Sequence, residues 1–174
     1  DRTPKQRKNN TKFTFARYMF AFIRKRFGDL PVWKIAAAQR GMTDDNLIQS
    51  TNYKYLDEKG KILDMEGFQV SLGPLALPLN LRATRDGTLV TITWDDSRDE
   101  PSAAPTDRMM VGIFYADYRN TFTLEKETGA TRRDGKCEIT LRDDDGEVCI
   151  HPFFARADNT AFSEDKAITL PDTE

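Results

Sequence analysis

His151 and Cys149 stand two residues apart in the run VCIHPFFARA, the nearest this 174-residue chain comes to a nucleophile beside its base. In an extended strand that spacing puts both side chains on one face. A working Cys–His pair also needs an accessible, activated thiol, and His151 is the single histidine in the sequence. Zinc sites of the usual kind and a His-based triad would both rest on that one residue, with no partner at ligand spacing. The residues therefore read as a packed strand histidine and an inert thiol. Cys137 also sits in a strand-like run, so two free buried thiols are expected rather than a disulfide. Two acidic clusters, DDSRDE from Asp95 to Glu100 and DDDGE from Asp143 to Glu147, carry the oxygen ligands that suit calcium. Their spacing departs from an EF-hand loop, and they read as turn acids that keep loops solvated. With no glycine-rich phosphate loop and no Ser elbow, no catalytic, cofactor-binding or metal residue is expected, and the chain reads as a non-enzyme.

Basic and aromatic residues offer recognition rather than catalysis. The net charge is −2, but the segment Asp1 to Gly28 holds nine bases and one acid, while Gly67 onward holds twelve bases and twenty acids. One end is net +8 and the other net −8. Lys5, Arg7 and Lys8 begin the basic segment and Arg24, Lys25 and Arg26 close it, so phosphate or acidic-protein contacts are expected there if anywhere. Tyr115, Tyr118 and Phe122 are the clustered aromatics that a carbohydrate-binding face would need.

Two kinds of element must position these residues. TPKQRKNNTKFTFARYMFAFIRKRFG reads as a helix: Thr3 as N-cap, Pro4 at the first position, Gln6 completing a capping box, and Gly28 closing it after three bases in the last turn. Phe13, Ala16, Phe20, Ile23 and Phe27 recur at helical spacing, and Phe15, Met19 and Phe22 widen the apolar face, which predicts a helix that packs broadly. LPVWKIAAAQRG predicts a short second helix, and Thr43 with Asp44 and Asp45 opens a third that runs to about Tyr53. YLDEKGKILDMEG reads as a connector turning at Lys59 and Gly60. From Gly67 the period changes to alternation, and strands are expected near 68–72, 79–84, 88–95, 108–115, 121–127, 137–142, 147–157 and 161–170. Asp86-Gly87, Asp134-Gly135 and Asp145-Gly146 read as hairpin dipeptides.

PLNLRATRDGTLVTITWDDS resembles the opening of a fibronectin type III domain, with Leu81 on a short first strand and Val90, Ile92 and Trp94 on the core face of the next. ARADNTAFSEDKAITL is similar to the closing hairpin of such a domain. Over more of the chain, the order of the TPKQ helix start, the GMT start at Gly41 to Thr43, the SLGPL strand and TITWDD resembles an uncharacterised family of bacterial proteins. Members of that family usually carry a Gly-rich segment before the TPKQ helix, which implies that the given chain is a processed or trimmed product. The resemblance implies an architecture and no activity.

The expected fold is α+β: residues 1–66 as helices and connector, packed on an antiparallel fibronectin type III- or Ig-like β-sandwich over 67–174. In VCIHPFFARA both parities are apolar, which a strand with one solvated face would not show. The broad face of the first helix is therefore expected to cover the outer surface of that sheet, making one cooperative unit. Pro152 within the same strand predicts a bulge or an edge. The expected function is a non-enzymatic structural or protein–protein interaction module, acting in self-assembly or with a protein partner. The alternatives are a carbohydrate- or other ligand-binding sandwich and nucleic-acid binding by the basic helix, which the core spacing of its aromatics disfavours. No run approaches the length of a membrane span.

Overall fold

The computed structural model describes residues 2–97 and 99–173, with the backbone alone for residues 8–10. Helix α1, Pro4–Phe27, begins as its sequence dictates. The Thr3 hydroxyl accepts from Gln6 N at 3.2 Å and the Gln6 side chain accepts from Thr3 N at 2.8 Å, satisfying two of the amides that a helix N-terminus leaves open. Gly28 ends it at φ 58, a conformation that favours glycine. Helix α2, Val32–Ala38, and helix α3, Asp44–Asn52, follow, and the Thr43 hydroxyl caps α3 by accepting from Asn46 N.

Among the described residues seven strands follow: β1 Arg82–Asp86, β2 Leu89–Thr93, β3 Arg108–Tyr115, β4 Tyr118–Glu125, β5 Lys136–Thr140, β6 Val148–Ala155 and β7 Ile168–Leu170. They form two antiparallel sheets, ordered β1-β2-β5 and β4-β3-β6-β7. That is a sandwich with the strand order of a fibronectin type III domain, as expected. Of the three predicted hairpin dipeptides only Asp86-Gly87 closes a hairpin, with Gly87 at φ 61 between β1 and β2. Gly135 and Gly146 also take positive φ, at 66 and 82, but they serve the passages where the chain changes sheet.

The stretch 68–72, expected as a strand, joins neither sheet. Side chains hold it instead. Asn52, fully buried, gives Nδ2 to Gln69 O at 2.9 Å and takes Gln69 N on Oδ1 at 2.7 Å, so its amide imitates a strand partner. Ser71 Oγ donates to Ser163 O at 2.6 Å, and Leu75 N to Phe162 O at 3.1 Å. At Gly73 a Cβ would lie 2.0 Å from Phe162 O, so only glycine lets this segment run so close to the sandwich.

The molecule has three layers and two cores. Between the sheets lie Leu81, Val90, Ile92, Trp94, Met109, Val111, Ile113, Cys137, Val148, Ile150 and Phe154. Between the β4-β3-β6-β7 sheet and the helices lie Ala16, Phe20, Ile23 and Phe27 of α1 against Met110, Phe114, Phe122, Cys149 and Phe153. Alternation along β3 and β6 sends one parity into each core, which is why all eight residues of β6 are buried. The helix cover predicted from VCIHPFFARA is present. A chain of rings crosses the layer boundary: Phe20 to Phe68 at 6.4 Å, Phe68 to Phe114 at 5.1 Å, Phe114 to Phe122 at 5.0 Å and Phe122 to Phe27 at 6.2 Å.

Pro152 is not at a bulge. It stays in register opposite Val111 of β3, while β7 pairs only with residues 148 to 150 of β6. Its carbonyl accepts from Lys166 N on the β7 side, so its missing N–H also faces the side β7 has left. The edge expectation holds locally, on a strand otherwise central.

Candidate functional site

A broad solvent-facing groove is built by α1 and α3. Ala16 is the first buried residue of α1, and every described side chain before it is exposed or half-buried. At 1.5 Å per residue, roughly 17 Å of helix therefore lies outside the core. This part carries Lys5 and Arg7, both exposed, with no acid in its first turn; the side chain of Lys8 lies outside the described residues. Phe13 and Phe15, expected in the core, are 46% and 44% exposed, and Tyr18 is 70% exposed. The apolar stripe is real, but it continues past the body it packs on.

Beside this helix, Lys12, Phe13, Arg17, Met42, Gln49 and Tyr53 help to wall a groove of about 1120 Å³ between α1 and α3. Lys12 Nζ sits 4.2 Å above the Tyr53 ring and Phe13 stands 6.5 Å from the same ring, so the wall alternates cation and aromatic. A second depression of about 430 Å³ continues along α1 past Tyr18, Ala21 and Arg24. Gly60 keeps the connector against this helix: at φ 74, its Cβ would lie 2.7 Å from the Phe15 backbone.

At the far end of α1, Arg24 pairs with Asp45, Lys25 is exposed, and Arg26 lies 4.6 Å over the Phe22 ring. The two basic groups are some 20 residues apart on a straight helix, roughly 30 Å. They are separate surfaces and do not converge on one ligand.

The aromatics proposed for carbohydrate are not brought together at the surface. Phe122 is fully buried against the helices, Tyr115 is 3% exposed in the inter-sheet core, and only Tyr118 is exposed, at 48%. Alternation puts Tyr115 and Phe122 on opposite faces of their sheet. The Tyr115 hydroxyl accepts from Arg142 N at 3.1 Å, a structural contact.

His151 is a packed residue with a fuller set of partners than its sequence neighbourhood shows. Nδ1 lies 2.6 Å from Asp165 Oδ2, Nε2 lies 2.7 Å from the Met65 carbonyl, and Cys149 Sγ lies 3.4 Å from Nε2. The order Cys–His–Asp is that of a nucleophile, its base and an orienting carboxylate. Two facts oppose that use. Cys149 and His151 are both fully buried, and Nε2 faces a carbonyl that can only accept, so its proton is committed to Met65. Burial lowers the His151 pKa, yet hydrogen bonds with Asp165 and Cys149 and the Asp165 charge outweigh it and carry the pKa up to about 9. The ring is thus a buried imidazolium bridging β6, the connector and the segment before β7. Cys137 and Cys149 are both buried free thiols on different sheets. Asp165 and Met65 were not visible as partners in the sequence, because neither has a spacing that marks it.

The acidic clusters occupy opposite ends of the sandwich, since one follows β2 and the other follows β5, its antiparallel neighbour. Asp95 accepts from Asn80 Nδ2 at 2.7 Å, and the Asp144 and Gly146 carbonyls accept from Arg85. No helix among the described residues is long and apolar enough to cross a membrane.

No family model matches the sequence, and no curated protein matches it. Among solved structures the chain is similar to the FN1–FN3 domains of chicken CNTN1, at 6% identity and TM-score 0.43 over 60% of this chain and 34% of that one. It therefore spans about a third of that structure's length. It is also similar to a myokine, at 16% identity and TM-score 0.42 over 58% of this chain and 100% of the other. The fn3 domain of human contactin 1 follows at 8% identity and TM-score 0.37, over 59% and 82% of the two chains. The sandwich is defined by its own strand order and does not depend on these likenesses.

Proposed function

We propose that this chain is a non-enzymatic protein-interaction module that docks an acidic partner on the basic, aromatic outer part of α1 and the groove beside α3. The observation that carries this reading is the division of one 24-residue helix: its second half packs along one face, while its first half presents Lys5, Arg7, Phe13 and Phe15 to solvent, with Tyr18 exposed just beyond them. Exposed aromatics among cations are the composition of an interface. The sandwich region of a second copy, net −8, has the complementary charge. The order TPKQ, GMT, SLGPL and TITWDD, similar to a bacterial family, fits this architecture and assigns no chemistry.

Sedimentation across a concentration series at low and high salt tests self-assembly. The expected result is an association weakened by salt and abolished by Lys5→Glu with Arg7→Glu. A monomer under all conditions, together with native mass spectra from the source showing no retained protein, would remove the reading. Nucleic acid is a second reading, favoured by Tyr18 and Phe13 standing exposed beside Arg17 and Lys12. It predicts oligonucleotide binding that falls steeply with salt, and binding unchanged by the same charge reversals would sink it.

A further inference from the structure

At the end of the sandwich reached by the β2–β3 loop lies a polar cluster that neither the α1 face nor His151 uses. Asp107 is fully buried; its Oδ2 receives Arg132 Nε at 2.9 Å and Ala104 N at 2.9 Å, and Oδ1 lies 3.0 Å from Arg156 Nε. Arg132 is itself 3% exposed. Its guanidinium carbon sits 4.2 Å over the Phe154 ring, which Trp94 meets edge-on at 5.5 Å, and Trp94 Nε1 donates to Arg132 O at 2.8 Å. The flat of the guanidinium is thus covered by an aromatic face, and Nε by a carboxylate.

Its outer fork is buried but unpartnered: among the described residues Nη1 and Nη2 have no hydrogen-bond partner, and neither has Ser97 Oγ, on a residue 7% exposed. Buried donors without acceptors are destabilising, and more so on a charged group. Both residues wall the same cavity of about 490 Å³, whose other walls are Asp96, Ala103, Pro105 and Arg133. The charged side chains among its described walls are Arg132 and Arg133 against Asp96, and Arg132 is already paired with Asp107.

We propose that this cavity is a binding site for a small oxyanion, a carboxylate, phosphate or sulfate group, gripped by the Arg132 fork and the Ser97 hydroxyl. The planar fork matches two oxygens of such a group at once, and its donors make their strongest hydrogen bonds to an anionic acceptor. The volume exceeds that of a bare ion, so the oxyanion can be the head of a larger molecule.

The test is an amide NMR titration of the full chain with phosphate, sulfate and acetate, each against chloride at matched ionic strength. Saturable shifts are expected at Ser97, Arg132 and Arg133, absent in chloride, and the ranking of the three anions identifies the head group. Ser97→Ala should weaken binding roughly tenfold, the worth of a hydrogen bond to a charged group, and Arg132→Lys, which keeps the charge but loses the fork, should weaken it further. If Arg132→Lys fails to fold, Ser97→Ala and Arg133→Gln carry the test, since neither touches the Asp107 pair. Shifts that never saturate, that appear equally in chloride, that fall on α1 instead, or that Ser97→Ala leaves unchanged would overturn the site.

Discussion

His151 is where burial and hydrogen bonding pull in opposite directions, and the outcome fixes how stability should respond to pH. Its folded pKa of about 9 lies above the ordinary 6.5. The folded state therefore holds its proton more tightly than the unfolded chain, and the stabilisation is complete below 6.5 and lost as pH rises through about 9. Denaturant midpoints measured across that window should decline in the native chain and decline less in His151→Gln; parallel profiles for the two would refute the bridging imidazolium. Removing the carboxylate with Asp165→Ala should cost about 3–5 kcal/mol, because it leaves a buried cation unpaired. The pairing of Cys149 and His151 on one face was legible from their spacing. Asp165 was not, since a residue 14 positions away in an irregular segment has no periodicity that assigns it a direction, and the Met65 carbonyl, 86 positions away, belongs to another layer.

Helix α1 shows how one periodic pattern can serve two purposes along its length. Thr3, Pro4, Gln6 and Gly28 set its limits by local chemistry, and these were readable because caps act within one turn. The fate of the stripe was not readable, because periodicity reports which residues share a face and is silent on where the opposing surface ends. Ala16 to Phe27 meet the sheet; Phe13 and Phe15 do not. Phe27→Ala, which empties a place stacked on Phe122, should cost about 3–5 kcal/mol. Phe13→Ala should change stability by no more than about 0.5 kcal/mol while weakening any association through the α1 face. Thermal melts paired with sedimentation check both, and an equal loss of stability in the two variants would mean that the outer helix is packed after all. The case of β6 is similar. Its two apolar parities announced burial on both sides, whereas Pro152 raised the prospect of a bulge that pairing with β3 and the early end of β7 made unnecessary.

For the whole molecule, the second core decides how it unfolds. Helices and sandwich share Phe20, Phe68, Phe114, Phe122, Cys149 and Phe153, so neither can leave without exposing the other. Trp33 lies in the helical layer and Trp94 between the sheets, which supplies a reporter for each. In Trp33→Phe the fluorescence of Trp94 follows the sandwich while far-ultraviolet circular dichroism follows the helices. The two should give one midpoint, as two-state unfolding requires; separated midpoints would show that residues 1–66 and 67–174 are independent domains. The isolated 67–174 segment should be poorly soluble, since Met110, Phe114, Phe122 and Phe153 would form an open apolar face.

By itself the sequence determined what depends on near neighbours: the caps of α1 and α3, the alternation that turns Val90, Ile92 and Trp94 inward, the glycine of the β1–β2 hairpin, and the two-sided burial of β6. These follow from backbone geometry and the two periods of side-chain direction, which a linear pattern records in full. Only the tertiary structure decided what depends on residues far apart in the chain. It placed Tyr115 and Phe122 in different cores, left Phe13 and Tyr18 in solvent, joined His151 to Asp165 and Met65, and set Arg132 between Asp107 and Phe154 with its fork buried and unpartnered among the described residues. Each of these turns on which surface arrives opposite a given side chain, and that is settled by the packing of the three layers together.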